Sequence, residues 1–180
     1  MKTMNIIAAL WGFAEATVFF IVPDVLLSAL ALRHLRLGIV ARLFAVGGAL
    51  AGGAVMYEWA LEDARGSLAV VEAVPAISPA MLTRVHRSLE EKGVSAILTG
   101  PLYGIPYKAF AIQAPAMGIG LAPFLLISVP ARLLRFLPVT LVCWWIGDRS
   151  LSTWAFRRKL AVLLMCWVVF YAFYFTVMPN

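Results

Sequence analysis

From Leu160 to Val177 the chain carries no charged residue. A helix needs about 20 mostly apolar residues to cross the hydrocarbon core of a bilayer, so residues 160–178 are read as a C-terminal transmembrane helix. The rest of the chain shares this character. Of 180 residues, 63% are hydrophobic and 13% charged, with a mean hydropathy of +0.91, whereas a soluble domain is about one quarter charged. A soluble globular domain is excluded, and one membrane domain, residues 1–180, of roughly four to six segments is expected. The N-terminal run MKTMNIIAALWGF has no small-residue cleavage site before Glu15, so it is expected to stay in the membrane and not to act as a signal peptide.

Two of the apolar stretches are interrupted in ways a lipid-facing helix would rarely tolerate. Residues 5–32 contain Glu15 and the pair Pro23-Asp24, which predicts a broken helix with Pro23 at its hinge. A basic connection with Arg33, His34, Arg36 and Arg42 follows, then a Gly/Ala-rich span over 39–61 containing GGALAGGA. Gly48 and Gly52 lie four apart there, a spacing that lets two helix backbones approach closely. Residues 62–93 form a more polar, amphipathic connector. Ser78-Pro79 is a helix start and Gly93 its stop. Met81, Leu82, Val85 and Leu89 share one face of that helix, which fits either an interfacial helix or one packed on its own protein.

The second half covers residues 94–147. Its first part, 94–120, is apolar overall but holds Gly100, Pro101, Gly104 and Pro106 close together, with Lys108 just beyond. Broken backbone at membrane depth requires protein or a water-filled cavity to satisfy its polar groups, so this segment is read as a second re-entrant element hinged at Gly100, Gly104 and Pro106. A span over 121–146 with Arg132 and Arg135 follows. The expected fold is an all-α integral membrane protein with two opposed re-entrant (broken) helices, about three to four transmembrane helices and an inverted repeat. If Lys2, the Arg33–Arg42 stretch and the Arg149, Arg157, Arg158, Lys159 cluster are cytoplasmic, eight basic residues lie inside. Arg65, Arg84, Arg87 and Lys92 then lie outside, and so does Asn180.

Five ionisable residues remain at membrane depth: Glu15, Asp24, Lys108, Arg132 and Arg135. Each costs at least about 2.5 kcal/mol at the bilayer centre, so they should face a cavity or pair with one another. Three cations against two carboxylates favour an anionic ligand such as a phosphate head group. Arg132 and Arg135, three apart on one helix, could converge two guanidinium forks on one phosphate or could neutralise Glu15 and Asp24. Lys108 could instead reach the interface, and Asp24 could cap the second half-helix. His34 and His86 are read as surface groups, and Cys143 and Cys166 as apolar filler that forms neither a disulfide framework nor a metal site.

At these residues the chain resembles the DedA family, whose shared region is also called the VTT or SNARE-associated domain. Glu15 matches the family's glutamate in the first broken segment, and Pro23-Asp24-Val-Leu-Leu its Pro-Gly-acid turn before paired leucines, without the glycine. EKGVSAILTGPLYGIPYKAF stands in place of the Gly-Arg-Phe-x-Pro-Gly-x-Arg motif, with Pro101 at the first arginine and Lys108 near the second. IPYKAF followed by ARLLRF looks like a divergent subgroup in which Lys108, Arg132 and Arg135 supply the cations. The resemblance covers roughly residues 10–147. It implies facing re-entrant helices and lipid transport between leaflets by a flippase or scramblase, with proton coupling. Implied substrates are polyprenyl phosphates or phospholipids in a cell inner membrane.

The function expected from residues and resemblance together is a multi-pass membrane transporter for an anionic lipid or polyprenyl-phosphate carrier. Membrane lipids, a phosphate-bearing lipid substrate and protons are its expected partners, with no nucleic acid and no cofactor. A homo-oligomer is left open. The second reading is a non-transporting assembly factor docked through the glycine-rich span. The third is a lipid-modifying enzyme, disfavoured because HExxH, GxSxG and a phosphate-binding glycine loop are all missing from the sequence.

Overall fold

The computed structural model describes residues 2–177, so the expected location of Asn180 and the last residue of the segment 160–178 lie outside the described residues. Every regular element among them is helical: α1 (Lys2–Ala16), α2 (Asp24–Ala31), α3 (Leu35–Glu62), α4 (Ala64–Glu72), α5 (Pro79–Lys92), α6 (Ser95–Thr99), α7 (Tyr107–Gln113), α8 (Leu121–Trp145) and α9 (Phe156–Val177). Short 3-10 turns occupy Gly100–Tyr103 and Pro115–Met117, and a π turn over Ile146–Ser150 extends α8. Three of these helices, Leu35–Glu62, Leu121–Ser150 and Phe156–Val177, are long and apolar enough to cross a membrane.

α3 is the axis of the molecule, and its small residues explain why. A side chain at Gly48 would overlap the carbonyl of Ala9, one at Gly12 the carbonyl of Ala45, and one at Gly52 the backbone of Phe13. Each Cβ points toward its own helix N-terminus, and each meets the neighbour about one turn N-terminal to its own level. That is the signature of two parallel helices, with Gly12 level with Gly48 and Ala16 level with Gly52. The glycine stripe expected from the sequence thus packs α1 on α3 within the chain. α2 returns along the first turns of α3, where a side chain at Gly38 would meet Ala31 and Thr140 of α8.

α5 begins as its sequence predicts: the Ser78 hydroxyl accepts a hydrogen bond from the Met81 N–H, and the chain leaves the helix at Gly93 with φ of 56°. Its apolar face is the one that packs on protein. Met81, Leu82, Val85 and Leu89 are all buried, and Leu82, Val85 and Leu89 join the core that also holds Tyr57, Phe110 and Phe124. Of the two readings of this connector, the packed helix is therefore the one observed. Residues that follow α2 and α8 lie close to one another. The Arg33 guanidinium lies 4.9 Å from the centre of the Phe156 ring, and a polar crevice between these segments is lined by Arg33, Asp148 and Lys159.

α9 differs from every other long helix in burying none of its residues. It holds no glycine, and its attachment to the rest of the protein runs through side chains such as Tyr171 and Trp167.

Candidate functional site

The site forms where the two broken segments meet. α1 stops at Ala16, where Thr17 turns its hydroxyl back onto the carbonyls of Phe13 and Ala14. The non-helical stretch is held by the Trp11 indole N–H, which donates to the carbonyl of Ile21 at 2.9 Å. In the second segment α6 gives way to a tight turn that ends at Gly104, in the left-handed region with φ of 78°. Such a conformation costs glycine little and other residues more. Pro106 then enters α7 from an extended conformation. Gly100 is required for a separate reason: any side chain there would overlap the ring of Phe110.

Lys108, in the first turn of α7, ties the breaks together. Its ammonium donates to the carbonyl of Phe19 at 2.7 Å, satisfying a main-chain oxygen that the interrupted helix leaves without an intrahelical donor. Around this contact lies a cavity of about 110 Å³, lined by Glu15, Phe19, Phe20, Lys108 and Arg135, by Gly104 and Pro106, and by Tyr171 and Tyr174 of α9. The first break is fastened to α9 as well, because the Val22 N–H donates to the Tyr171 hydroxyl at 2.8 Å.

The two arginines of α8 have separate fates. Arg132 is 1% exposed, forms an ion pair with Glu15, and stacks over the Tyr107 ring at 4.2 Å. It does not line this cavity. Arg135 has no hydrogen bond or ion pair among the described residues and does line it. Two guanidinium forks converging on one phosphate is therefore not the arrangement found. Of the sequence-derived alternatives for Arg132, internal neutralisation of Glu15 is the one observed.

Asp24 is buried at the first position of α2 without making a side-chain cap, and one of its carboxylate oxygens has no partner among the described residues. Lys108 is buried in the protein and does not reach outward. The sequence reading placed Arg42 in the basic connection, but α3 begins at Leu35 and carries it inward to 1% exposure. None of its guanidinium nitrogens has a hydrogen-bond partner among the described residues. Taking Arg42 out of the eight basic residues assigned to the inner loops leaves seven, against four. A signal for this burial was present: Gly38, Arg42, Ala45, Ala49, Gly52 and Met56 repeat at alternating four- and three-residue steps, and all six are buried. Tyr107 and Tyr171 were also missed, since an isolated tyrosine in an apolar run reads as an interfacial residue. Among family models, curated proteins and solved structures, nothing matches this chain.

Proposed function

We propose that the chain moves an anionic lipid or a polyprenyl-phosphate carrier between the leaflets of a cell inner membrane, as the divergent DedA-type reading implies. In this reading the two broken segments are re-entrant helices related by an inverted repeat, each entering from its own side and meeting near the bilayer midplane. The observation that carries the proposal is the small cavity at their meeting point. Its wall holds Lys108 and Arg135 against Glu15, and Glu15 is already neutralised by Arg132.

A cavity of about 110 Å³ is well above the ~10–15 Å³ that a single ordered water needs, and it has room for a phosphate group. Lys108 donates one hydrogen bond to Phe19, leaving two of its three N–H groups for a ligand, and Arg135 offers its planar fork. Burying a phosphate between these cations replaces the hydration it loses on leaving the interface. The reading of the chain as a docked assembly factor finds less support at Gly48 and Gly52, which pack on α1.

The test is lipid translocation by purified protein in liposomes. Arg135→Gln is expected to slow movement by about one hundredfold, the equivalent of about 2.7 kcal/mol for one lost charged contact. The protein should remain folded, and Arg135→Lys should retain partial activity. Wild-type translocation by Arg135→Gln would overturn the assignment. Chemical conversion of the lipid by the wild-type protein would favour the enzyme reading over transport.

A further inference from the structure

Beside the phosphate-sized cavity lies a larger groove of about 410 Å³ between α8 and α9. Its walls are mostly apolar, with Val139 and Cys143 from α8 facing Leu163, Cys166 and Trp167 from α9. The charged residues that line it are Asp24 and Arg135. Val22, Arg135 and Phe170 border both spaces. A ligand held at Arg135 therefore stands at the mouth of each, with a small charged space on one side and a large apolar one on the other.

We infer that this groove is a hydrocarbon-chain subsite, which takes one acyl or prenyl chain of the lipid whose phosphate sits at Arg135; the inference rests on the phosphate reading above. The division of space follows the division of an anionic lipid itself. The groove falls within the range of roughly 300–1,000 Å³ typical of ligand sites, whereas the charged cavity has about 110 Å³ against the groove's 410 Å³. Each methylene that leaves water for such a surface gains about 0.8 kcal/mol, but in a bilayer the chain already has apolar surroundings. The groove therefore contributes position more than affinity: it aligns the chain along α9 so that the head group enters at Arg135.

α9 is suited to form the outer wall of such a subsite. None of its residues is buried, and two side-chain hydrogen bonds fasten it across the groove. These are the Tyr171 contact to Val22 and the Trp167 indole N–H, which donates to the Ser28 hydroxyl at 3.1 Å. Its opposite face, with Met165 and Val168, is exposed and serves as an internal control for ordinary contact with bulk lipid.

Two photoreactive analogues of an anionic phospholipid, one labelled near the chain terminus and one at the phosphate end, test the inference in nanodiscs containing the full chain. With adducts located to single residues, the chain probe is expected to mark Cys143 and Cys166 in the groove as well as Met165 on the outer face. The head-group probe is expected to mark Lys108 and Arg135 in the wild-type protein. Val139→Trp or Leu163→Trp, which fill the groove from opposite walls, should lower the Cys143 and Cys166 marking by the chain probe about tenfold. Marking at Met165 should be unchanged. Either variant that retains its folded, monodisperse state suffices. Chain marking confined to the Met165 face, or unaffected by both tryptophans, overturns the subsite. Groove marking that persists while the head-group probe misses Lys108 and Arg135 upholds the subsite and overturns the phosphate reading.

Discussion

α3 and α9 are nearly equal in apolarity, with mean hydropathies of 1.8 and 2.2 over their membrane-length windows, yet α3 supports most of the molecule and α9 buries nothing. Their compositions show the cause. α3 presents Gly38, Ala41, Ala45, Gly48, Ala49 and Gly52 toward its neighbours, and α9, made largely of leucine, valine, tryptophan, phenylalanine and tyrosine, has no glycine at all. In a bilayer, apolarity decides that a helix inserts but gives it no preference for protein over lipid. Small residues that admit a neighbouring backbone supply that preference. Packing around α3 and the looser attachment of α9 are therefore separate properties, and variants can move one without the other.

The largest effect is expected at the sealed pair beside α3. Arg132→Gln leaves Glu15 buried without its partner and should cost about 3–5 kcal/mol, seen as early thermal unfolding in detergent. Adding Glu15→Gln should recover most of that stability. A single variant as stable as wild type would show that the pair does not hold the centre together.

A smaller loss follows from closing the gap between α1 and α3. Gly48→Leu drives a side chain into the backbone of Ala9 and should cost about 1–3 kcal/mol or more, as overpacking does. Val168→Leu on the outer face of α9 should stay within about 0.5 kcal/mol, because Val168 is 68% exposed. Equal losses at the two positions would break the distinction between the helices.

A more local effect is expected from Tyr171→Phe. The variant removes the acceptor of the Val22 N–H at a cost of about 1 kcal/mol. Alkylation of Cys143, the half-buried thiol in the groove, should accelerate while the unfolding midpoint moves little, and an unchanged alkylation rate would mean that the tyrosine does not fasten α9.

Much of the architecture was legible in the residues because it depends on local rules. Ser78, Pro79 and Gly93 set the limits of α5, and the glycines of α3 announced a close approach, though not that α1 would make it. The breaks near Pro23 and over Gly100–Pro106 were visible as helix interruptions. The division of labour at the site was not legible. Arg132 and Arg135 are three residues apart on one helix, and only the position of Glu15, 117 residues away along the chain, commits the first to an ion pair and leaves the second at the cavity. Arg42 was misplaced because its neighbours Arg33 and Arg36 suggested a loop, while the stepwise repeat through Gly38 and Ala45 carried the opposite message.

The four cations held among these helices, Arg42, Lys108, Arg132 and Arg135, outnumber the two carboxylates, Glu15 and Asp24, by two elementary charges when all are ionised. Charge in that position lies within the electric field of an energised membrane, where about 2.3 kcal/mol of work accompanies each elementary charge moved across 100 mV. On the proposed reading, a phosphate bound at Arg135 would offset part of that excess. Voltage would then act more weakly on the loaded protein than on the empty one and bias the two forms differently even if their shapes were the same.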